Sequence, residues 1–160
     1  MLKFLLQLSI KDDDINLMEK KENNHGGTTY IYYSPSMVEK DRERFATVKS
    51  LKKDVIIYVN DTYRSMSNVC RQFIIAQKLA HIELGHDLSF IGKMKLNFKS
   101  KYICPTEILD ADEFVAKTFG RDSTIFALSE IQKLGVDSEI NFRIYMLMYN
   151  RQRNKMLQDA

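Results

Sequence analysis

The stretch NVCRQFIIAQKLAHIELGH, residues 68–86, predicts one long helix. Apolar residues recur within it at steps of three and four, which is the period of a helix with one face on a core. These residues are Val69, Phe73, Ala76, Ala80 and Leu84. Ser65 or Ser67 can cap its start, and Gly85 can end it because glycine accepts the left-handed conformation. We therefore take this helix as the element around which the chain is organised.

Gln77 and His81 lie four residues apart in this helix, which is about one turn. Two side chains with that spacing can reach one ion, as the two histidines of H-E-x-x-H do around zinc. The run FIIAQKLAHI, residues 73–82, resembles the active-site helix of the ImmA/IrrE-type zinc metallopeptidase family, whose pattern is F-T-I-A-H-E-L-G-H. In this alignment the first zinc histidine falls on Gln77, the general-base glutamate falls on Lys78, and His81 matches the second histidine.

A second motif occurs downstream in the same order as in that family. The run DADEFVAK, residues 110–117, resembles the E-A-D-x-F-A-A helix that brings the third ligand, and Asp110 stands in the place of its glutamate. The resemblance implies an α+β, zincin-like fold, with a small N-terminal β-sheet, a long central motif helix and a C-terminal helical part. It also implies a protein partner of the regulator or repressor type in a bacterial or prophage setting.

The residues at the two altered positions oppose zinc-dependent hydrolysis. The glutamine amide is neutral and a poor zinc ligand, and a lysine cation cannot take a proton from a metal-bound water. An ammonium close to a dication adds a repulsion of about a few kcal/mol at an effective dielectric near 20. We therefore predict a catalytically inactive domain that acts through protein–protein binding, with no cofactor. The ammonium of Lys78 would instead pair with Asp110 or Glu107 and take over the electrostatic role of the metal.

A metallopeptidase with re-assigned ligands is the first alternative. His81 and His86 are five residues apart, about 140° around a continuous helix, so an unbroken helix separates their side chains. If Gly85 ends the helix, His86 can turn back toward His81, and Asp110 can complete a zinc site. Glu107 is a further candidate in that site, and Glu83 or Glu107 would act as the base.

A nucleic-acid-binding module is the second alternative. Between Leu88 and Thr106 the chain has no acidic residue, and its lysines alternate with apolar residues, which indicates a strand with one basic face. The lysines concerned are Lys93, Lys95, Lys99 and Lys101. They indicate either a solvated edge strand that resists edge-to-edge pairing or a surface for a polyanion.

Composition bounds the remaining possibilities. A chain of 160 residues, 44% hydrophobic and 28% charged, is typical of a soluble globular protein. We expect a single domain over residues 1–160, sheet-rich over 1–60 and helical over 65–158. The net charge of +3 is too small to indicate a nucleic-acid partner by itself. The start has no signal-peptide cleavage site, and no run approaches about 18 apolar residues, so we expect a cytoplasmic protein with no membrane partner.

Local patterns predict the other elements. Leu2–Ile10 indicates a first strand or a short helix, and the charged stretch Asp12–Glu22 indicates a helix. Thr28–Tyr33 and Asp54–Asn60 indicate strands, the second being the clearest because its apolar run is continuous. Three helices are expected to close the chain, at residues 107–119, 122–135 and 139–157.

Overall fold

The computed structural model describes residues 15–41, 43–86, 106–135 and 138–158. Within these ranges it contains four β-strands and six helices, which confirms the predicted α+β class. Contacts within the chain divide it into two compact units, residues 1–65 and residues 66–160. The expectation of a single domain stays a prediction. The element predicted at Leu2–Ile10 and the basic stretch Lys93–Lys101 lie outside the described residues.

The first unit contains a mixed four-stranded sheet. Its strands are β1 (Asn16–Glu22), β2 (Thr28–Tyr33), β3 (Ala46–Leu51) and β4 (Asp54–Val59), in the spatial order β1-β2-β4-β3. β1 is antiparallel to β2, and β3 is antiparallel to β4. β2 and β4 are parallel, so the chain crosses over between them, and helix α1 (Pro35–Lys40) and β3 lie in that connection. A short helix, α2 (Asp61–Ser65), follows β4.

β4 is the buried centre of this sheet. All five residues from Val55 to Val59 are buried, as expected for a strand with both faces covered. On one of those faces Met37 and Val38 of α1 pack with Ile56 and Tyr58. The strand predicted from the continuous apolar run is therefore confirmed.

The charged stretch Asp12–Glu22 is not a helix in its described part. Residues 16–22 form β1, and all seven are exposed, so no packing against a core selects their conformation. They pair with β2 along their length, from Asn16 opposite Tyr33 to Glu22 opposite Thr28. The helical prediction is wrong because pairing with the neighbouring strand β2 outweighs the local preference.

A tight contact joins the β1–β2 turn to the β3–β4 turn. The Oδ1 atom of Asn23 accepts hydrogen bonds of 3.0 Å from the backbone N–H groups of His25 and Gly27. The Nδ2 atom of Asn23 donates to the carbonyl oxygen of Lys53 at 2.8 Å. A Cβ atom on Gly27 would lie 2.0 Å from that same carbonyl oxygen, so no residue with a side chain fits there without a shift of backbone.

The described helices of the second unit pack around one core. They are α3 (Asn68–Glu83), α4 (Thr106–Phe119), α5 (Arg121–Lys133) and α6 (Ser138–Gln158). α3 packs on α4 and α5, and α6 packs on α4 and α5. Ser67 caps α3, since its hydroxyl accepts from the N–H of Cys70, but Leu84, which we expected on the core face, is 40% exposed. None of the helices that the structure describes has the length and apolar character needed to cross a bilayer.

An ion pair ties α4, α5 and α6 together. The Arg121 guanidinium donates to both carboxylate oxygens of Glu113, at 2.9 and 2.5 Å, and to the backbone oxygen of Leu147 at 3.0 Å. Asn150 donates to the same carboxylate at 3.3 Å. The Arg121 hydrogen bond lowers the pKa of Glu113, with a smaller lowering from Asn150, although partial burial opposes it.

Candidate functional site

Three polar residues occupy core positions on three helices of the second unit. Asp112 belongs to the buried stripe of α4, whose members are Ile108, Ala111, Asp112, Val115 and Ala116. On α6, Arg143 stands three residues after the buried Ile140 and four before the buried Leu147. On α3, Gln77 stands four residues after the buried Phe73. Helical spacing therefore points all three toward the interior of the unit.

These three residues form one hydrogen-bonded group, here called the Asp112 cluster (Gln77, Asp112 and Arg143). The Arg143 guanidinium donates from Nε to Oδ2 of Asp112 at 2.6 Å and from a terminal nitrogen to Oδ1 at 2.7 Å. Gln77 donates from Nε2 to Oδ1 at 3.0 Å. The Asp112 side chain is only 1% exposed, so its charge is compensated inside the protein.

The buried charges of the Asp112 cluster give it a structural role. The Arg143 side chain is 11% exposed, and its guanidinium lies 6.0 Å from the centroid of the Phe73 ring. A buried ion pair of this kind is weak evidence of net stability, but removing one partner strands the other and costs about 3–5 kcal/mol. The cluster therefore locks the relative positions of α3, α4 and α6.

A second polar group lies at the C-terminal end of α3. Gly85 has a φ of 68°, its N–H donates to the carbonyl of Ile82 at 3.0 Å, and the N–H of His86 donates to the carbonyl of His81 at 2.8 Å. This pair of bonds is a Schellman cap. The prediction that Gly85 ends the helix and lets His86 turn back is confirmed.

The cap brings the two histidine rings into contact. Nδ1 of His81 lies 2.9 Å from Nδ1 of His86, and the ring centroids are 5.1 Å apart. His81 is buried, at 4% exposure. A hydrogen bond between the two rings requires that one Nδ1 carries a proton and that the other accepts it.

The other candidate ligands do not join this histidine pair. Asp110 is on the exposed side of α4, and the buried acid that contacts the motif helix is Asp112. In residues 15–41, 43–86, 106–135 and 138–158, no three His, Cys, Asp or Glu side chains are grouped closely enough to hold one metal ion. Asp110 and Glu107 thus do not complete a site with the histidines in this structure.

The zinc ligand set implied by the resemblance does not fit these residues. The position of the first histidine holds Gln77, whose amide nitrogen already donates to Asp112. Two ion pairs of α4 with other helices are described, Asp112 with Arg143 of α6 and Glu113 with Arg121 of α5. The suggested pairing of Lys78 with Asp110 or Glu107 stays a prediction.

Neither Arg143 nor a role for Asp112 is predicted from the sequence. A signal was present, because each is a charged residue at the i+3 or i+4 position of an apolar helical stripe. On the last helix, the spacing of Ile140, Leu147 and Met148 predicts one shared core side, but Met148 is 51% exposed. The candidate lysines from Lys93 to Lys101 lie in a range that the structure does not describe.

Comparison with known proteins adds no relative to this geometry. No family model, no curated protein and no solved structure matches the chain. The resemblance to the ImmA/IrrE-type family accordingly rests on the two motifs alone.

Proposed function

We propose that this chain is a degenerate zincin-like domain of the ImmA/IrrE type, a pseudo-metallopeptidase that acts by binding another protein. The partner class is a cytoplasmic regulator or repressor in a bacterial or prophage setting, as the resemblance implies. The observation that carries the proposal is the Asp112 cluster. In it, Gln77, the residue aligned with the first zinc histidine, uses its amide to hold a carboxylate that is also bound by an arginine.

The chemistry of this cluster favours a structural role over metal binding at Gln77. Its amide nitrogen is a donor and cannot ligate a cation in its present orientation. If the amide turned, a metal there would face the Arg143 guanidinium, and two unit charges about 4 Å apart repel by about 4 kcal/mol at an effective dielectric of 20. The arginine already supplies the positive charge that neutralises the buried acid.

The position of Lys78 supports the same proposal. It aligns with the glutamate that would activate water in the family's reaction, and a lysine cation has no free electron pair with which to accept that proton. The chain therefore differs from the family's motif at two positions, the zinc ligand and the general base, and each difference by itself opposes hydrolysis. A rigid helical scaffold that keeps the family's shape without its reaction is suited to binding a protein.

The test of this proposal compares binding with cleavage. Proteins that co-purify with the full chain from the cells in which it is produced are identified by mass spectrometry, purified, and titrated against it by calorimetry with and without EDTA. We expect at least one regulator-type protein to bind stoichiometrically, with an affinity that EDTA does not change and with no cleavage of the partner. Cleavage that EDTA abolishes would overturn the proposal, and so would the absence of any stoichiometric binder.

The histidine pair favours one second candidate, a zinc-dependent metallopeptidase with re-assigned ligands. His81 and His86 present their Nδ1 atoms to each other at 2.9 Å, a geometry from which two neutral imidazoles can turn toward a shared ion. Asp110 or Glu107 would have to move to join them. In that case zinc would be the cofactor.

Metal content decides between the two candidates. Zinc is measured by mass spectrometry on protein purified without chelator or histidine tag, for wild type, His81→Ala and His25→Ala. His25 is the control because it is the one histidine of the chain outside the histidine pair, and it lies in the β1–β2 turn. Our proposal predicts less than about a tenth of an equivalent in all three proteins. About one equivalent in wild type and in His25→Ala, lost in His81→Ala, would favour the metallopeptidase.

A further inference from the structure

Helix α6 is apolar on two opposite sides. Its inner side carries Ile140 and Leu147, which are buried at 3% and 2% exposure. Its outer side carries four large side chains, Phe142, Tyr145, Tyr149 and Met156, with exposures of 39%, 60%, 46% and 65%. At about 100° per residue, this outer row lies roughly opposite the inner one. A helix with two apolar sides needs two partners, and the core of the second unit covers only the inner side.

The outer row has the spacing of a coiled-coil seam. Phe142, Tyr145, Tyr149, Gln152 and Met156, here called the aromatic seam, follow one another at alternating steps of three and four residues. This is the a/d pattern by which two helices pack along their length. Tyr145 and Tyr149 are already stacked on the surface, with ring centroids 6.3 Å apart and planes 20° from parallel.

The apolar exposure of the described residues is concentrated on this helix. The structure records twelve exposed large apolar side chains, and six of them lie on α6, which is 21 residues long. Contiguous exposed apolar surface of this kind marks an interaction site. Scattered single residues, such as Leu51 at 39% exposure, need no such explanation.

We propose that the aromatic seam is a dimerisation surface on which α6 of a second copy of this chain packs antiparallel. This inference goes beyond the proposed function and does not depend on it. In the register that aligns the aromatic layers, Tyr145 of one protomer lies on the partner's Tyr149, and Phe142 lies on the partner's Gln152. The two-fold axis repeats each of these contacts, as in an isologous interface.

Charge along α6 selects the second copy as the occupant and the antiparallel direction. Glu139 and Arg153 are fourteen residues apart, two heptads, and so flank the seam on the same side. Antiparallel packing brings Glu139 of each protomer to the partner's Arg153, which forms two opposite-charge contacts. Parallel packing instead gathers Arg151, Arg153 and Lys155 of both copies at one end and aligns the two helix dipoles, which repel.

The first test is the solution mass of the chain, whose monomer is 18.7 kDa. Sedimentation equilibrium from about 1 µM to about 500 µM is expected to show a monomer–dimer equilibrium for wild type. Tyr145→Glu is expected to weaken association at least about tenfold, because a carboxylate cannot be buried in the seam. The matched control is Phe126→Glu on α5, which replaces an aromatic residue of 52% exposure by the same acid.

The outcomes of this test are distinct. The control should associate like wild type, and circular dichroism should show equal thermal unfolding of the two variants, since both sites are exposed in the monomer. A wild-type chain that stays monomeric throughout the concentration range overturns the proposal. An equal loss of association in the two variants also overturns it.

A second test reports the direction of packing and does not depend on folding energetics. Met148→Cys and Met156→Cys are treated with a short bis-maleimide, with wild type as the blank for its own cysteines, Cys70 and Cys104. In the antiparallel dimer the two 148 positions lie near the two-fold axis, whereas the two 156 positions are about 27 Å apart along the helices. Cross-linking at 148 alone supports the proposal. Cross-linking at 156 alone, or at neither position at dimer-forming concentrations, overturns it.

Discussion

The sheet of residues 16–59 and the helices of residues 68–158 bury different kinds of polar group. The buried polar side chains described in the sheet unit are Thr29, Ser34 and Thr47, all neutral. Those of the helical unit include Asp112 and His81, which can be charged. A buried hydroxyl needs one hydrogen bond, such as the 2.7 Å bond that Thr47 donates to Asp41. Loss of that bond is expected to lower the free energy of unfolding only modestly. A buried carboxylate needs a cationic partner, so the fold of the helical unit depends on Arg143, which pairs with Asp112.

The two units also differ in the chemical groups that make their critical contacts between separate parts of the chain. The Asp112 cluster joins residues that are 31 and 35 positions apart through side chains alone. The close contact of the sheet unit joins Gly27 to Lys53 through backbone, and it tolerates no side chain at residue 27. Substitutions in the helical unit should therefore act through charge, whereas those in the sheet unit should act through steric fit.

The largest effect is expected at Arg143. Arg143→Met strands the 1%-exposed carboxylate of Asp112 and should lower the free energy of unfolding by about 3–5 kcal/mol, measured by urea denaturation. The double variant Asp112→Leu with Arg143→Met removes both charges and should recover most of that loss. The matched control is Arg151→Met, since the Arg151–Asp122 pair has side chains 49% and 80% exposed and should change stability by less than about 1 kcal/mol. Equal losses at the two arginines would contradict the assignment of the cluster.

The next effect is expected at Gly27. Gly27→Ala places a Cβ atom 2.0 Å from the Lys53 carbonyl oxygen, so the two turns must separate, at a cost of about 2–3 kcal/mol in urea unfolding. Gly26→Ala is the control, because Gly26 is the neighbouring glycine of the same turn, with a φ of 69°, and has no atom within 4 Å of the added carbon. That control should cost only the backbone strain, about 1 kcal/mol. If Gly26→Ala lowers the free energy of unfolding as much as Gly27→Ala, the close approach of Gly27 to the Lys53 carbonyl is not the cause of the loss.

The smallest effect is expected at Glu113 and depends on pH. Because the pKa of Glu113 is lowered in the fold from 4.5, its ionised form is the stabilising one. Its contribution is fully present above that value and is lost as the pH falls through the folded pKa. Glu113→Gln should therefore cost about 1–2 kcal/mol at neutral pH. Urea unfolding of both proteins from pH 7 to about pH 3 should show the difference between their free energies of unfolding shrinking toward zero. A difference that stays constant with pH would show that the Arg121–Glu113 pair is not its source.

Local patterns were sufficient for the elements whose own residues carry the information. β4 follows from five consecutive apolar residues, and the end of α3 follows from Gly85. β1 was predicted wrongly, and β3 was not predicted, because both are exposed along much of their length and owe their conformation to pairing with β2 and β4. Strand pairing is a property of two segments together, here neighbours in two hairpins, so neither segment alone reveals it.

The candidate site divides in the same way. That His86 turns back on His81 followed from a glycine one residue before it, whereas the 2.9 Å ring contact required the geometry of the cap. Asp110 was selected by its place in a motif, yet the helical phase of α4 exposes Asp110 and buries Asp112. Two residues along a helix are about 200° around its axis, so a motif alignment cannot substitute for the phase of the buried stripe.

By itself, the sequence of this protein determined which segments form buried strands and amphipathic helices, where α3 stops, and that the residues aligned with a zinc ligand and a catalytic base are Gln77 and Lys78. Those properties follow from hydrophobic period, from glycine conformation and from side-chain chemistry, all of which are local. Only the tertiary structure decided that Asp112 meets Arg143 and Gln77. The reason is physical: a buried charge is tolerated only where the packing of several helices brings a partner within hydrogen-bonding distance, and that packing is a property of the whole unit.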